Sequence, residues 1–298
     1  MILNTQLNQT SNEHIPVLLE QTLALLDPQP GESYLDLTAG YGGHARVIIS
    51  KTGAPERVTL VDRDKNALDT LTDLQDSGAT PMHSDFASAA KKLVEQGKTF
   101  DLILADLGVS SPHLDNEERG FSFMRDGPLD MRMDQSQEVT AETLVNNLSG
   151  FELEKILKEY GEEPRRKKIV EAIINNRPFH TTLGLANVIE ETTPRRGKKH
   201  PATRTFQALR MAVNQELNQG QEMLTSVEQL LSPTGRVAII SFHSLEDRIV
   251  KRFFSNRAKA GYESTLKLLN NKPLLGTEDV NNPRSRSAVL RGAVKINI

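Results

Sequence analysis

Cysteine and tryptophan are absent from this 298-residue chain, and aromatic residues make up only 5% of it. Without cysteine there is no disulfide framework, no thiolate metal site and no cysteine nucleophile. Long apolar runs are missing too. No stretch approaches the ~20 residues of a membrane helix, and the opening MILNTQLNQTSNEH lacks the basic-then-apolar layout of a signal peptide. A cytoplasmic protein with no membrane association is the expectation. Charge of one sign is also scarce. The formal net charge is −3, so a nucleic-acid partner can be argued only from local clusters. What is present, 37% hydrophobic and 25% charged residues, suits a folded chain of one large or two smaller domains.

Hydrophobic patterning divides the chain. After a polar start expected to fray, Val17, Leu18, Leu25 and Leu26 stand near helical spacing before Pro28 and Pro30. Tyr34–Leu37 reads as a strand and Ala45–Lys51 as the following helix. Val58–Asp62 is a second strand, and Asn66–Leu74 a second helix. A weaker third strand lies near Ala79–His83, with a helix from Phe86 to Gln96. Phe100–Asp106 is a fourth strand. Such alternation predicts an α/β fold, a parallel sheet covered on both faces. From Gly108 to about His200 no convincing strand occurs. Ser149-Gly-Phe-Glu152 is a capping-box signature, and further helices are marked by Ile169, Val170, Ile173 and Ile174 and by Leu185, Val188 and Ile189. Phe206 to Leu231 reads as one long amphipathic helix with a weak point at Gly220. Strand character returns at Arg236–Phe242, a helix runs through Arg248–Phe254, and a last strand spans Ser287–Ile296. One sheet domain interrupted by a helical insertion is the economical organisation.

The stretch Tyr34–His44, YLDLTAGYGGH, is a strand, a glycine-rich turn and a helix start. Backbone N–H groups and a helix N-terminus meet a ligand at such a turn. Gly40-x-Gly42-x-x-Ala45 satisfies the dinucleotide fingerprint, and Asp62 stands about 20 residues on, where a ribose-binding acid is expected. A nicotinamide enzyme is therefore a serious rival. Against it, Asp36 closes the strand and would repel a pyrophosphate, but would welcome a sulfonium or an ammonium. S-adenosyl-L-methionine carries both and no phosphate. Asp62 and Asp106 at parallel strand ends fit that methyltransferase layout, with the acceptor expected at the fourth-strand exit, Asp106–Pro112.

The chain resembles the bacterial RsmH (MraW) family, which methylates N4 of a cytidine in 16S ribosomal RNA. The resemblance rests on His14–Glu20, Gly40–His44, Asp106–Pro112, Arg119–Phe123, Gly127–Asp134, His200–Arg210, Ser241–Arg248 and Asn282–Ser287, in family order along nearly the whole chain. It implies a Rossmann-like class I S-adenosylmethionine-dependent sheet, formed by residues 1–112 and 213–298, with residues 113–212 as an inserted helical, substrate-recognition domain. It implies cofactor contacts at Gly42, Gly43 and His44, at Asp62 on the ribose, at Phe86 beside the adenine and at Asp106 near the methionine end. His113 stands where the family usually has Gln, also at the cofactor. The partner implied is 16S rRNA in an assembled small ribosomal subunit, at its decoding region; a homodimer is allowed and no metal is assigned.

The exocyclic N4 of cytosine is a poor nucleophile, because its lone pair is delocalised into the ring. An enzyme must hold it in line with the S–CH3 bond and accept hydrogen bonds from its N–H groups. Asp106 is the catalytic candidate, with Ser110 and Ser111 as further acceptors. A base drawn out of its stack also calls for an aromatic platform, for which Phe121 and Phe123 are candidates, or else they pack the loop. Basic residues cluster at Arg165–Lys168, at Arg195, Arg196, Lys198 and Lys199, at Arg204 and Arg210, and at Arg284, Arg286 and Arg291, as a phosphate-facing surface would require. Phe242-His-Ser-Leu-Glu-Asp-Arg248 holds the residue types of a hydrolase triad or metal site. A His–acid pair at a strand-to-helix turn is better read as a helix cap, and no G-x-S-x-G elbow accompanies it.

Overall fold

The computed structural model describes residues 16–109, 111–195, 197, 199–279 and 282–296. His14, Ser110, Arg196 and Lys198 lie outside the described residues, as does the side chain of Ser111.

An eight-stranded sheet organises the chain. Its strands are β1 (Tyr34–Asp36), β2 (Val58–Asp62), β3 (Thr80–His83), β4 (Phe100–Asp106), β5 (Leu231–Ser241), β6 (Leu266–Leu268), β7 (Leu274–Leu275) and β8 (Val289–Lys295). The order is β3-β2-β1-β4-β5-β8-β6, with β7 paired to β8. Strands β1 to β5 pair in parallel, while β8 runs antiparallel to β5. This is a doubly wound, Rossmann-like sheet with an antiparallel edge, and its order reverses between β1 and β4. Ligands of open α/β sheets bind outside the carboxyl ends of the strands at such a point.

Strand alternation sends side chains to two cores, because successive Cβ atoms leave opposite faces. Ile103 and Ala105 of β4 and Val237 and Ile239 of β5 join Leu93, Val227 and Phe254 on one face. Leu102, Leu104, Ala238 and Ile240 join Leu18, Leu26 and Ile48 on the other. The buried residues of a third core fall between Phe121 and Val213, among them Leu153, Ile169, Ile189 and Phe206, with Val109 packed against them. Helices at Ala141–Asn147, Gly150–Glu159, Arg166–Asn175, Thr182–Thr192 and Thr203–Asn214 build it. The capping box at Ser149 forms as its pattern predicts, with the Glu152 carboxylate on the Ser149 N–H at 2.8 Å.

The long helix expected from Phe206 to Leu231 is broken, and not at Gly220. It divides at Gln215, whose φ of 51° is left-handed. Gly220 lies inside the second helix, Glu216–Leu230, where a Cβ would stand 3.0 Å from Ile249 Cδ1. The helix expected at Asn66–Leu74 is also two pieces, Lys65–Asp69 and Thr72–Asp76. The short strands β6 and β7 had no periodic signal to announce them.

Candidate active site

The glycine turn is held from below by Asp36. This carboxylate is 2% exposed; Tyr34 donates its hydroxyl to Oδ2 at 2.7 Å, and the Thr38 N–H donates to Oδ1 at 3.1 Å. Burial pushes its pKa up to about 6. Each of its oxygens thus accepts one hydrogen bond from within the protein, and these two bonds shape the turn. Thr38 Oγ1 in turn accepts the Asp106 N–H at 2.6 Å, which ties the β1 exit to the β4 exit.

Gly40 and Gly42 have φ of 51° and 80°, a left-handed backbone that favours glycine. A Cβ at Gly42 would also stand 2.8 Å from Leu71 Cδ2, and one at Gly43 would lie 2.6 Å from Pro16 Cγ. The helix Gly43–Thr52 opens here, so its first-turn N–H groups point out of the helix end. The His44 ring is buried, with Nε2 3.1 Å from the Val17 carbonyl.

Asp62, at the end of β2, receives the Gly40 N–H at 2.7 Å and the Asp64 N–H at 2.8 Å, one on each oxygen. Burial raises its pKa against those two bonds. Each carboxylate oxygen keeps a second lone pair for a hydroxyl donor. The Ser84 N–H bonds the Asp62 carbonyl at 3.0 Å, which brings half-buried Phe86, first residue of the helix Phe86–Glu95, to the same edge. Asp106 closes β4. Its Oδ1 is buried without a hydrogen-bond partner among the described residues, and burial, with Asp36 and Glu246 nearby, raises its pKa to about 8. Asp106 rather than Asp36 is thus the acid with an unsatisfied oxygen beside the turn. A left-handed glycine turn, a carboxylate with spare lone pairs and an orphaned acid together fit a cofactor carrying ribose hydroxyls and a positive charge.

His113 lies at the same edge through Asp64. Its Nε2 is 2.7 Å from Asp64 Oδ2, which also accepts from Arg119 at 3.1 Å. Burial opposes ionisation of Asp64, but the bonds from His113 and Arg119 outweigh it and hold its pKa at about 2. The His113 ring stacks on Phe121, centroids 5.0 Å apart. Phe123 packs against His200 and Phe206. Both phenylalanines are thus loop-packing residues joined to the helical core, not an open platform. Sequence reasoning passed over Asp64 and Arg119; the Asp62-x-Asp64 spacing and the Arg119 of RGFSF were the available signals.

The reading of His243 as a cap agrees with the structure: its Nδ1 accepts the Glu246 N–H at 3.3 Å, at the start of the helix Ser244–Ala258. Glu216, His243 and Glu246 bring ligand-type atoms within 4.8 Å of one another. The chemistry of this set does not suit a cation. A metal-bound imidazole donates its other ring N–H, whereas here the other nitrogen faces a donor, and both Glu216 oxygens are gripped by Arg210 at 2.9 and 2.7 Å.

The basic residues divide. Arg210 is thus committed to Glu216, Arg291 to Asp247 and Arg284 to Asp115. In the helical region, Arg165, Lys168 and Arg195 line an open pocket of about 230 Å³ with Thr192, Thr193 and Pro194.

Comparison with known proteins places this geometry. The model of the MraW methylase family matches residues 11–296. A protein of Halorhodospira halophila called ribosomal RNA small subunit methyltransferase H is 44% identical, covering 97% of this chain and 96% of its own. One of the same name from Nostoc punctiforme is 45% identical over 99% of this chain and 98% of its own. Among solved structures, an rRNA methylase from Streptococcus thermophilus aligns with TM-score 0.43 and 11% identity, covering 93% of this chain and 95% of that one. With the family pattern matched from the first glycine turn to the last strand, this chain belongs to the MraW methylase family.

Proposed function

We propose that this chain transfers a methyl group from S-adenosyl-L-methionine to N4 of a cytidine in the 16S rRNA of the small ribosomal subunit. The observation that carries this reading is the unsatisfied Oδ1 of Asp106 at the β4 exit, joined through Thr38 to the glycine turn. When bound, the cofactor supplies an electrophilic methyl on a sulfonium. Gly42 and Gly43 give it close backbone approach, the N–H groups at Gly43 and His44 receive its carboxylate, and Asp62 accepts its ribose hydroxyls. Phe86, half-buried at the same edge, is the residue assigned to the adenine. His113 acts here through Asp64, positioning the loop that carries Asp62.

Asp106 accepts a hydrogen bond from the N4 amine and holds it for in-line attack. A cation nearby lowers the cost of ionising this acid. With the cofactor bound, N4 would take the methyl group that its sulfonium supplies, the thioether would leave, and the N4 proton would pass late to solvent. We assign residues 1–112 and 213–298 to the methyltransferase unit and residues 113–212 to substrate recognition. The separate core of the helical region and its pocket of Arg165, Lys168 and Arg195 support that division.

The test is direct. Purified protein is incubated with labelled S-adenosylmethionine and small subunits lacking the modification, and the RNA is digested to nucleosides. Label in N4-methylcytidine is expected. Label in another nucleoside, or none, overturns the proposal.

A further inference from the structure

The exits of β4 and β5 are packed together. Asp106 pairs with Ile240 of β5, the Leu107 N–H donates to the Ile240 carbonyl at 2.8 Å, and a Cβ on Gly108 would lie 2.8 Å from Phe242 Cδ2. His243 follows at once. Because its Nδ1 accepts the Glu246 N–H, the neutral ring carries its hydrogen on Nε2. That nitrogen is 3.0 Å from Glu246 Oε1 but out of line with it, so among the described residues it is left buried without a hydrogen-bond partner. The His243 side chain is only 10% exposed. Glu246 spends its other oxygen on the Phe242 N–H at 2.9 Å, and Glu216 is held by Arg210. One strand exit therefore offers an unsatisfied acceptor, Asp106 Oδ1, and the adjacent exit an unsatisfied donor, His243 Nε2–H.

A buried polar atom without a partner costs stability, and an acceptor–donor pair of this kind is complementary to one base edge. Cytosine donates from N4 and accepts at N3. Uracil presents the reverse and would set acceptor against acceptor and donor against donor. We infer that His243 is a specificity-determining residue, whose Nε2–H donates to N3 of the target cytosine while Asp106 accepts from its amine. The inference rests on the reading of the acceptor as a cytidine.

Three substitutions separate this role from helix capping. His243→Gln places an amide N–H near the Nε2 position and loses the cap. His243→Asn places an acceptor near Nδ1, keeps the cap and offers nothing at Nε2. His243→Phe keeps the ring shape alone. Each is assayed by single-turnover methylation of saturating small subunits, with cofactor Kd by calorimetry and melting temperature beside it. The Asn and Phe variants should lose about tenfold or more in rate with cofactor Kd unchanged, and the Gln variant should recover most of it. Recovery by Asn but not Gln, equal losses in all three, or no loss in any overturns the inference.

Should a variant fail to fold, the wild-type chain still decides. With 3-deazacytidine at the target position of a reconstituted subunit, its rate should fall by a similar factor, and an unchanged rate overturns the inference. If the product nucleoside from unmodified subunits is not N4-methylcytidine, the functional reading fails instead, which the same digest reports.

Discussion

Asp64 and His113 are 49 positions apart in sequence, and their side chains meet at 2.7 Å inside the protein. Asp64 belongs to the loop after β2, and His113 to the segment that leaves the sheet for the helical region. Arg119 completes the contact and extends it to the carbonyls of Arg132 and Met133 at 3.0 and 2.8 Å. The loop that follows Asp62 is thus tied to the segment that enters the helical region.

Removing the shared acid tests that link. Asp64→Ala leaves Arg119 buried without its counter-ion, and should lower unfolding stability by about 3 kcal/mol in urea titrations. Asp64 also sets a pH dependence. Its folded pKa, about 2, lies below the unfolded value near ~3.9. The stabilisation is therefore present above about pH 4 and lost as pH falls toward 2. Melting curves across that window should show about 2 kcal/mol of loss in the wild type and a flatter profile in Asp64→Asn.

Asp106 behaves in the opposite sense. Its folded pKa of about 8 lies above the unfolded value, so the protein should lose stability as pH rises from about 4 through 8. Asp106→Asn removes that dependence and should gain on the order of 2 kcal/mol at neutral pH. Single-turnover methylation at saturating cofactor and subunit should meanwhile fall about 100-fold. A wild-type rate in this variant would remove Asp106 from the mechanism.

The glycine turn has an internal control. Gly42 and Gly53 both have positive φ, 80° and 62°, but a Cβ at Gly42 meets Leu71 at 2.8 Å while one at Gly53 meets nothing within 4 Å. Gly53→Ala should cost only the left-handed penalty of about 1 kcal/mol and leave cofactor affinity unchanged. Gly42→Ala should cost more and weaken cofactor binding by calorimetry, because Leu71 or the turn must move.

Neutralising Lys168 and Arg195, two cations of the helical-region pocket, should weaken subunit binding. The slope of log affinity against log salt should become shallower by about 1.5, roughly one counterion per lost phosphate contact. An unchanged slope would place the RNA elsewhere. Arg210→Gln is the wrong test of RNA contact, since that guanidinium is bound to Glu216.

Local rules in the sequence determined most of the sheet. The apolar run Leu102–Ala105 announced β4, and Ser149 and Glu152 announced their helix, because strand burial and capping depend on near neighbours. The glycine turn, Asp62 and the strand-end position of Asp106 were legible for the same reason, and the family pattern carried the expectation of cofactor contacts there. The sequence could not place the helix break at Gln215, since a left-handed non-glycine residue leaves no compositional mark. Nor could it assign the carboxylates. Asp36 and Asp106 look alike as acids ending apolar runs, yet Tyr34 and Thr38 occupy both oxygens of one, while the other keeps an unsatisfied oxygen. Which acid, and which histidine nitrogen, is left without a partner depends on groups brought together from distant segments, and only the tertiary structure decides that.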